Sequence, residues 1–401
     1  MHPSTGTAWK ILDDYCHSEH VSNSEAVRDV CRKCREVYPK FHDSRIVFTN
    51  TFSTGFGMLA LADIPYGELI LVDHPVVCIS DIDLGVSPFG NMDGGDSLAL
   101  LQVLSEEFDK SIESCFSNLY PIRGSNSLNE QKMDIIPERI NCLLASKLPE
   151  SMSPDSVLRA VQLNSLGYYT FPELCTYNER LRFLSGTGIY PTASMFNHSC
   201  SPNVHHYSFG NVALFRTLRD VAAGEELFIT YIGRDLLCET KSVRDEFLGN
   251  RDFVCRCSKC LIPDLDDPWR EELDLETRIS IHMAPSNEAR LSLLRSLLAN
   301  TSYITRDKIE LQFSLCRALG GTNRAAWESL IALLDPSDFL YVVVLVHFMV
   351  HCGYDRSVAD CIENSSNALF GTRDCIKLFE VTDFASSELR PKFIDMCNSI
   401  V

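Results

Sequence analysis

Apolar positions follow strand-like patterns between residues 45 and 80 and again between 200 and 231, and helical spacing governs most of the rest of the chain. Arg45-Ile46-Val47-Phe48-Thr49 reads as a strand, and Ser53–Ala60 follows with glycines at 55 and 57 that permit close backbone approach. Residues 62–71 give strand, Pro65–Gly67 turn, strand. Val204–Tyr207 and Val212–Thr217 flank Phe209-Gly210-Asn211 as the arms of a hairpin. Leu227, Ile229 and Tyr231 alternate with Phe228 and Thr230, as a strand end should. Polar helices are predicted within residues 1–44, a helix at Leu98–Phe108 inside a Pro, Gly, Asn and Ser-rich stretch, and helices across 136–162 with Ile140, Leu143 and Leu144 on one face. From Ala289 the chain is helical: Leu291, Leu294 and Leu298 share one spacing, Leu293 and Leu297 another, and further helices are expected near 307–318, 324–334, 339–352 and 356–369. The most apolar run, 339–350, is too short and too close to His347 and His351 to span a bilayer, so it reads as a buried helix. A β-α-β rhythm and a dinucleotide fingerprint are both missing, which argues against a Rossmann-type nucleotide-binding fold. The predicted class is α+β, with a β-rich centre and an all-α C-terminal domain.

A chain of 401 residues with 45% hydrophobic content has room for two or three domains with real cores. Its 17 cysteines, an odd number, and an N-terminus without the basic-then-apolar layout of a secretory signal point to a reducing compartment, nucleus and/or cytoplasm. Metal binding is then a better use of cysteine than disulfides. The net charge of −18 argues against a broad nucleic-acid-binding surface and suits basic peptide partners.

Candidate chemistry concentrates between Gly186 and Cys260. Gly186-Thr187-Gly188-Ile189-Tyr190-Pro191 leads into Ser194-Met195-Phe196-Asn197-His198-Ser199-Cys200-Ser201-Pro202-Asn203, a run of small, amide and imidazole side chains that reads as a functional loop. Gly224-Glu225-Glu226-Leu227 then turns into the strand ending at Tyr231, and Cys255-Arg256-Cys257-Ser258-Lys259-Cys260 follows. The triplet at C-x-C-x2-C spacing falls one ligand short of a structural zinc, and Cys200 is the fourth. The alternative, ordinary core thiols, fits poorly with the Arg, Ser and Lys around them. Cys31-x2-Cys34, with Cys16, His17 and His20 nearby, is a zinc half-site that would need its other half.

These motifs resemble those of SET-domain protein lysine methyltransferases. The residues that carry the likeness are Asn197-His198-Ser199-Cys200-x-Pro202-Asn203, Gly224-Glu225-Glu226-Leu227 with Tyr231, Cys255-x-Cys257-x2-Cys260, and Gly55-x-Gly57-Met58-x-Ala60 followed by a Gly67-Glu68 turn. Gly186-x-Gly188-x-Tyr190-Pro191 and the cysteine arrangement are most similar to the SET-and-MYND (SMYD) branch. The likeness covers residues 45–262 and departs twice. Only Cys115 lies between Cys78 and Cys142, so the MYND finger is absent, and Leu166 stands where the branch has a Phe that walls the lysine channel.

The resemblance implies an N-terminal extension at 1–44, a first SET part at 45–80, a helical insertion at 81–156, a second SET part at 157–247, a zinc-bound post-SET segment at 248–262 and a helical domain at 263–401. It implies S-adenosylmethionine and Zn2+ as cofactors and a lysine of a protein or peptide, histone or non-histone, as substrate. Tyr231 and Tyr190 would be catalytic; Gly55, Phe56, Asn164, Ser194, Phe196, Asn197, His198, Tyr231 and Phe253 would contact the cofactor; Cys200, Cys255, Cys257 and Cys260 would hold the metal. No membrane and no general nucleic-acid partner are expected, whereas the C-terminal helices offer a surface for a protein partner. The competing reading is an inactive SET fold serving as a peptide-binding or zinc-organised interaction protein.

Overall fold

A computed structural model describes residues 5–18, 23–51, 55–83, 95–120, 136–169, 184–233, 235–238, 240–249, 251, 253–261, 274–299, 305–320, 323–334 and 339–370. The fold is α+β, as its sequence pattern predicts. Two N-terminal helices, α1 (Thr5–Cys16) and α2 (Ser24–Val37), precede the strands. Helix α2 starts where Asn23 accepts a hydrogen bond from the Glu25 N–H, an N-cap that satisfies one orphan donor.

Among the described residues the strands form three sheets. The first orders β1 (Phe41–His42), β4 (Leu69–Asp73), β10 (Val212–Thr217) and β9 (Val204–Phe209). The second orders β2 (Ile46–Thr51), β3 (Gly55–Ala60), β11 (Glu226–Ile229) and β8 (Asn197–His198), and the third β5 (Val77–Ser80), β7 (Ser185–Ile189) and β6 (Ser165–Tyr169). All ladders are antiparallel except β11 with β8, where Phe228 faces Asn197 and Ile229 faces His198. The expected hairpin forms across Gly210-Asn211, with Phe209 paired to Val212 and Gly210 at φ 55°, a left-handed turn residue. The expected strand at residues 62–64 shrinks to a single bridge between Ile64 and Val221, after which the Gly67 turn opens β4.

The insertion contributes α3 (Gly95–Glu107), α4 (Lys110–Phe116), α5 (Glu138–Ala145) and α6 (Pro154–Asn164). Leu100, Leu104, Leu144, Val157 and Val161 pack with Val77 and Ile189, so this layer backs the third sheet. The C-terminal helices occupy Leu275–His282, Asn287–Leu298, Thr305–Leu319, Arg324–Ile331, Phe339–Cys352 and Arg356–Phe370. Residues 339–352 form the predicted buried helix, with Val342–Val346, Phe348 and Met349 all inside, and no described helix is long and apolar enough to cross a membrane. The last helices are not a detached module. Trp327, Val342 and Leu369 share one core with Leu12 and Val27 of the N-terminal helices and with Tyr207, Phe209 and Leu214 of the hairpin.

Two contacts fix the chain entering the loop at 190–203. Asp73, buried at the end of β4, accepts the N–H groups of Thr192 and Ala193 at 2.9 and 3.0 Å, and burial raises its carboxyl above the ordinary range. At Gly186 the strands close so tightly that a Cβ would lie 2.2 Å from the Ile79 carbonyl oxygen and 2.4 Å from the Tyr168 hydroxyl. Gly186→Ala is therefore expected to part β5 from β7 at a cost of about 3 kcal/mol, the upper end of ordinary overpacking. A thermal melt at the wild-type midpoint would contradict this close approach.

Candidate functional site

The site is assembled where the 190–203 loop lies against β11. Beside the β8–β11 pairing, Asn203 staples that seam: 1% exposed, it accepts the Phe228 N–H at 2.7 Å and donates to the Glu226 carbonyl at 2.8 Å. Asn197 donates through Nδ2 to the Phe56 carbonyl at 2.9 Å and to Glu226 Oε1 at 2.8 Å. Gly57 leaves room for that network, since a Cβ there would stand 2.4 Å from Glu226 Oε1. The G-x-G pair, the Asn-His loop and the Gly-Glu-Glu turn thus meet at one point.

Just past β11, Tyr231 turns back on the loop. Its hydroxyl donates to the Phe196 carbonyl at 2.6 Å, and its backbone N–H donates to His198 Nδ1 at 2.9 Å. Burial pushes the Tyr231 phenol up to about 12, so it is a neutral hydroxyl throughout the physiological range. His198, 6% exposed, is held down to about 4 by burial and is likewise neutral. With Nδ1 accepting, the neutral ring carries its proton on Nε2, which faces Cys200 Sγ at 3.3 Å. The His198 ring also neighbours Tyr231 and Phe253, at centroid distances of 5.3 and 5.9 Å. Phe253 meets Tyr231 edge-on and is 38% exposed, so part of its surface remains open.

Cys200, Cys255, Cys257 and Cys260 come together with every sulfur within 4.8 Å of the others. Among the described residues this is the one such group of His, Cys, Asp or Glu. Cys200 lies 3.9 Å from Cys255 and 3.6 Å from Cys260, and zinc–sulfur bonds of about 2.3 Å would set tetrahedral sulfurs about 3.8 Å apart. The donor set therefore fits zinc. Within the cluster the thiols share hydrogen bonds, and those from Cys200 and Cys255 draw the Cys257 thiol down. The Arg244 guanidinium, 2% exposed, donates to Cys260 Sγ at 3.7 Å and sets a fixed positive charge beside the cluster. The N-terminal half-site is different: Cys16, Cys31 and Cys34 are buried in the core with Leu12 and Val27, and His20 lies outside the described residues.

Two residues expected at the site by their motif position do not present their side chains there. Tyr190, expected to be catalytic, is fully buried and donates its hydroxyl to the Asn211 carbonyl at 2.8 Å, inside the sheets. Phe196, expected against the cofactor, stacks on Phe215 at 5.2 Å in the core, and only its carbonyl reaches Tyr231. Ser194 donates to the Tyr190 carbonyl, and Asn164 donates to the carbonyls of Tyr120 and Ala160, which ties both to backbone. Gly55, at φ 83°, and the half-exposed Phe56 border the Asn197 network. Sequence reasoning missed Asn203 as a staple, Arg244 and Arg251. Arg251 lies with its guanidinium carbon 5.3 Å from the centre of the Tyr231 ring and donates to the Leu163 carbonyl at 2.8 Å.

Asn203→Ala would orphan the Phe228 N–H and the Glu226 carbonyl, and at about 1–3 kcal/mol for each buried unpaired group the loss should reach about 3 kcal/mol. Urea unfolding of this variant would show it as a lower midpoint with an unchanged slope; equal midpoints would remove Asn203 from its role.

The SET domain family model matches residues 55–232 of this chain. A SET domain-containing protein of Acanthamoeba polyphaga mimivirus is 29% identical over 229 residues, covering 55% of this chain and 80% of that protein. The N-lysine methyltransferase SMYD2 of Sus scrofa is 33% identical over 144 residues, 35% of this chain and 31% of its own length. The chain therefore spans about a third of that relative. Among solved structures, the SET domain of LSMT bound to lysine and AdoHcy aligns over 97% of this chain and 95% of that one, at 14% identity and a TM-score of 0.32. The Asn-His loop, the Gly-Glu-Glu turn and the terminal tyrosine all lie inside the span that the SET domain model matches.

Proposed function

We propose that this protein is an S-adenosylmethionine-dependent protein lysine methyltransferase whose four-cysteine cluster holds a structural zinc. The observation that carries the reading is Tyr231: a neutral hydroxyl on a half-buried ring, fixed by the Phe196 carbonyl, beside the partly open Phe253 ring and shortly after the Asn197-His198 pairing. The matched SET span and relatives named as N-lysine methyltransferases support the reaction class. S-adenosylmethionine would supply the methyl group. Phe253 offers its apolar face to the adenine, and Asn197, His198, Gly55 and Phe56 border the same ground. A phenol that stays protonated cannot act as a general base, so the role of Tyr231 is to orient the amine and the transferring methyl by hydrogen bonding and exclusion of water. The chain's charge of −18 favours substrates presenting lysine in a basic peptide, histone or not.

Structural zinc contributes folding energy. Freshly purified protein should carry about one equivalent of zinc, and Cys257→Ser should lose it and melt at a lower temperature. Full zinc content in Cys257→Ser, or less than half an equivalent in the wild type, would remove the metal from this reading.

Tyr231→Phe deletes one oxygen and keeps the ring, so zinc content should hold and stability fall only by the one lost bond to the Phe196 carbonyl, about 1 kcal/mol, while methyl transfer falls about 10²–10³-fold. The assay is labelled methyl donor with an arrayed library of lysine peptides. Wild-type protein that binds S-adenosylmethionine in calorimetry but labels no lysine would favour the inactive SET fold instead.

A further inference from the structure

Arg251 is a charge that the proposed chemistry leaves unexplained. Its guanidinium is largely withdrawn from solvent, and desolvation lowers its affinity for its proton. Its hydrogen bond goes to a neutral group, the Leu163 carbonyl, and among the described residues no carboxylate pairs with it. A half-buried cation with no carboxylate partner among the described residues is costly, and a fold that keeps one beside its reactive tyrosine holds it against an electrostatic gradient. Charged groups on the neighbouring elements do not cancel it. Arg159, on α6, adds a second positive field at Arg251; Arg244, on the helix Lys241–Leu248, joins Arg251 in acting on His198; Glu226, on β11, is the one acid among the described residues whose field is felt at Tyr231. Glu226 already accepts Asn197 Nδ2.

A lysine side chain reaching Tyr231 enters this field. We infer that Arg251 is a positioning residue for the target amine: its guanidinium, fixed over the Tyr231 ring with no carboxylate partner among the described residues, disfavours the ammonium form and delivers the lysine as a neutral amine. The inference rests on the methyltransferase reading given above. The proton leaves the ammonium group to solvent water. The freed nitrogen lone pair then bonds the methyl carbon while the bond from that carbon to the sulfonium sulfur breaks, its electron pair remaining on sulfur. A free lysine titrates near 10.4, and a like charge close by lowers such a value. No protein base is needed.

The test uses the full chain, S-adenosylmethionine and a peptide selected from the lysine library, with single-turnover rates measured from pH 6.5 to 10. Arg251→Gln and Arg251→Met remove the charge; Arg251→Lys keeps it. The neutral variants are expected to move the rise of the rate toward higher pH by about one unit, so that they are about tenfold slow at pH 7 yet within about twofold of wild type on the alkaline plateau. Arg251→Lys should keep the wild-type profile, and cofactor affinity by calorimetry should stay within about threefold for all three. Three results overturn the inference: a folded neutral variant with an unmoved profile, an Arg251→Lys profile displaced as far as that of Arg251→Gln, or a cofactor affinity weakened more than about tenfold in both neutral variants, which would make Arg251 an anchor for the cofactor's carboxylate. If neither neutral variant folds, the guanidinium is a folding element and the inference falls. Methylation of no lysine by the wild type would instead remove the methyltransferase reading itself, so the two failures are told apart.

Discussion

The imidazole of His198 is the joint through which the parts of this site communicate. One ring nitrogen accepts the backbone N–H of Tyr231 and the other faces the sulfur of Cys200, so a single buried side chain spans from Tyr231 to the cysteine cluster. Because the ring is kept neutral by burial, the first bond dictates the tautomer and the second follows from it. An N–H aimed at sulfur suits a thiolate better than a thiol, and a metal-bound thiolate is what the four-sulfur geometry favours. Order in residues 255–260 is thereby linked to the backbone that carries Tyr231. A loop with few regular hydrogen bonds of its own is held by partners on three sides: Asp73 behind, Asn203 across the seam and the cysteines in front.

Charge at the site is arranged in two compartments that lie close together. Arg244 lies against the sulfurs, where a positive charge would offset the excess negative charge of four thiolates around a zinc ion, were one held there. Arg251 lies over Tyr231, with its hydrogen bond directed to a neutral carbonyl. Both guanidiniums act on His198, and both oppose its protonation. The joint between tyrosine and cluster is thus protected from titration by burial and by two fixed cations at once.

Much of this was legible in the sequence because several signals are local. The Gly210-Asn211 turn and the spacing of the cysteine triplet are set by neighbours a few residues away, and each appears as its pattern implies, while β11 stops at Ile229, two residues short of the tyrosine expected to end it. Side-chain direction was less legible. Membership in a motif placed Tyr190 and Phe196 in the right segment, yet Tyr190 belongs to β7's edge and points its hydroxyl into the sheets, while Phe196 sits one residue before β8 and stacks inward on Phe215. Neither outcome follows from spacing, since both depend on strands far away in the chain. Arg251 carried no pattern: a lone arginine two residues before Phe253 becomes notable only when Leu163 and Tyr231 are brought to it.

The boundary expected at residue 263 shows the same limit on a larger scale. Composition separates an acidic stretch and a set of helices from the β-rich part, which suggests an appended module with its own core. One small cluster, Ile281, Leu294, Leu311 and Leu315, does belong to the helices alone. The larger share does not. Trp327, Val342, Val344 and Leu369 are buried together with Tyr207, Phe209 and Leu214, and the last described helix brings Asn367 and Ala368 close against Gly67 in the turn that opens β4. Strand β4 ends in Asp73, the residue that pins the loop before Asn197. The C-terminal helices thus stabilise, through one continuous core, the strand that positions the candidate site. Removing them would expose the apolar face of the hairpin and leave β4 without its backing, so a binding partner that shifted the last helix would act on the site through packing and not merely through proximity.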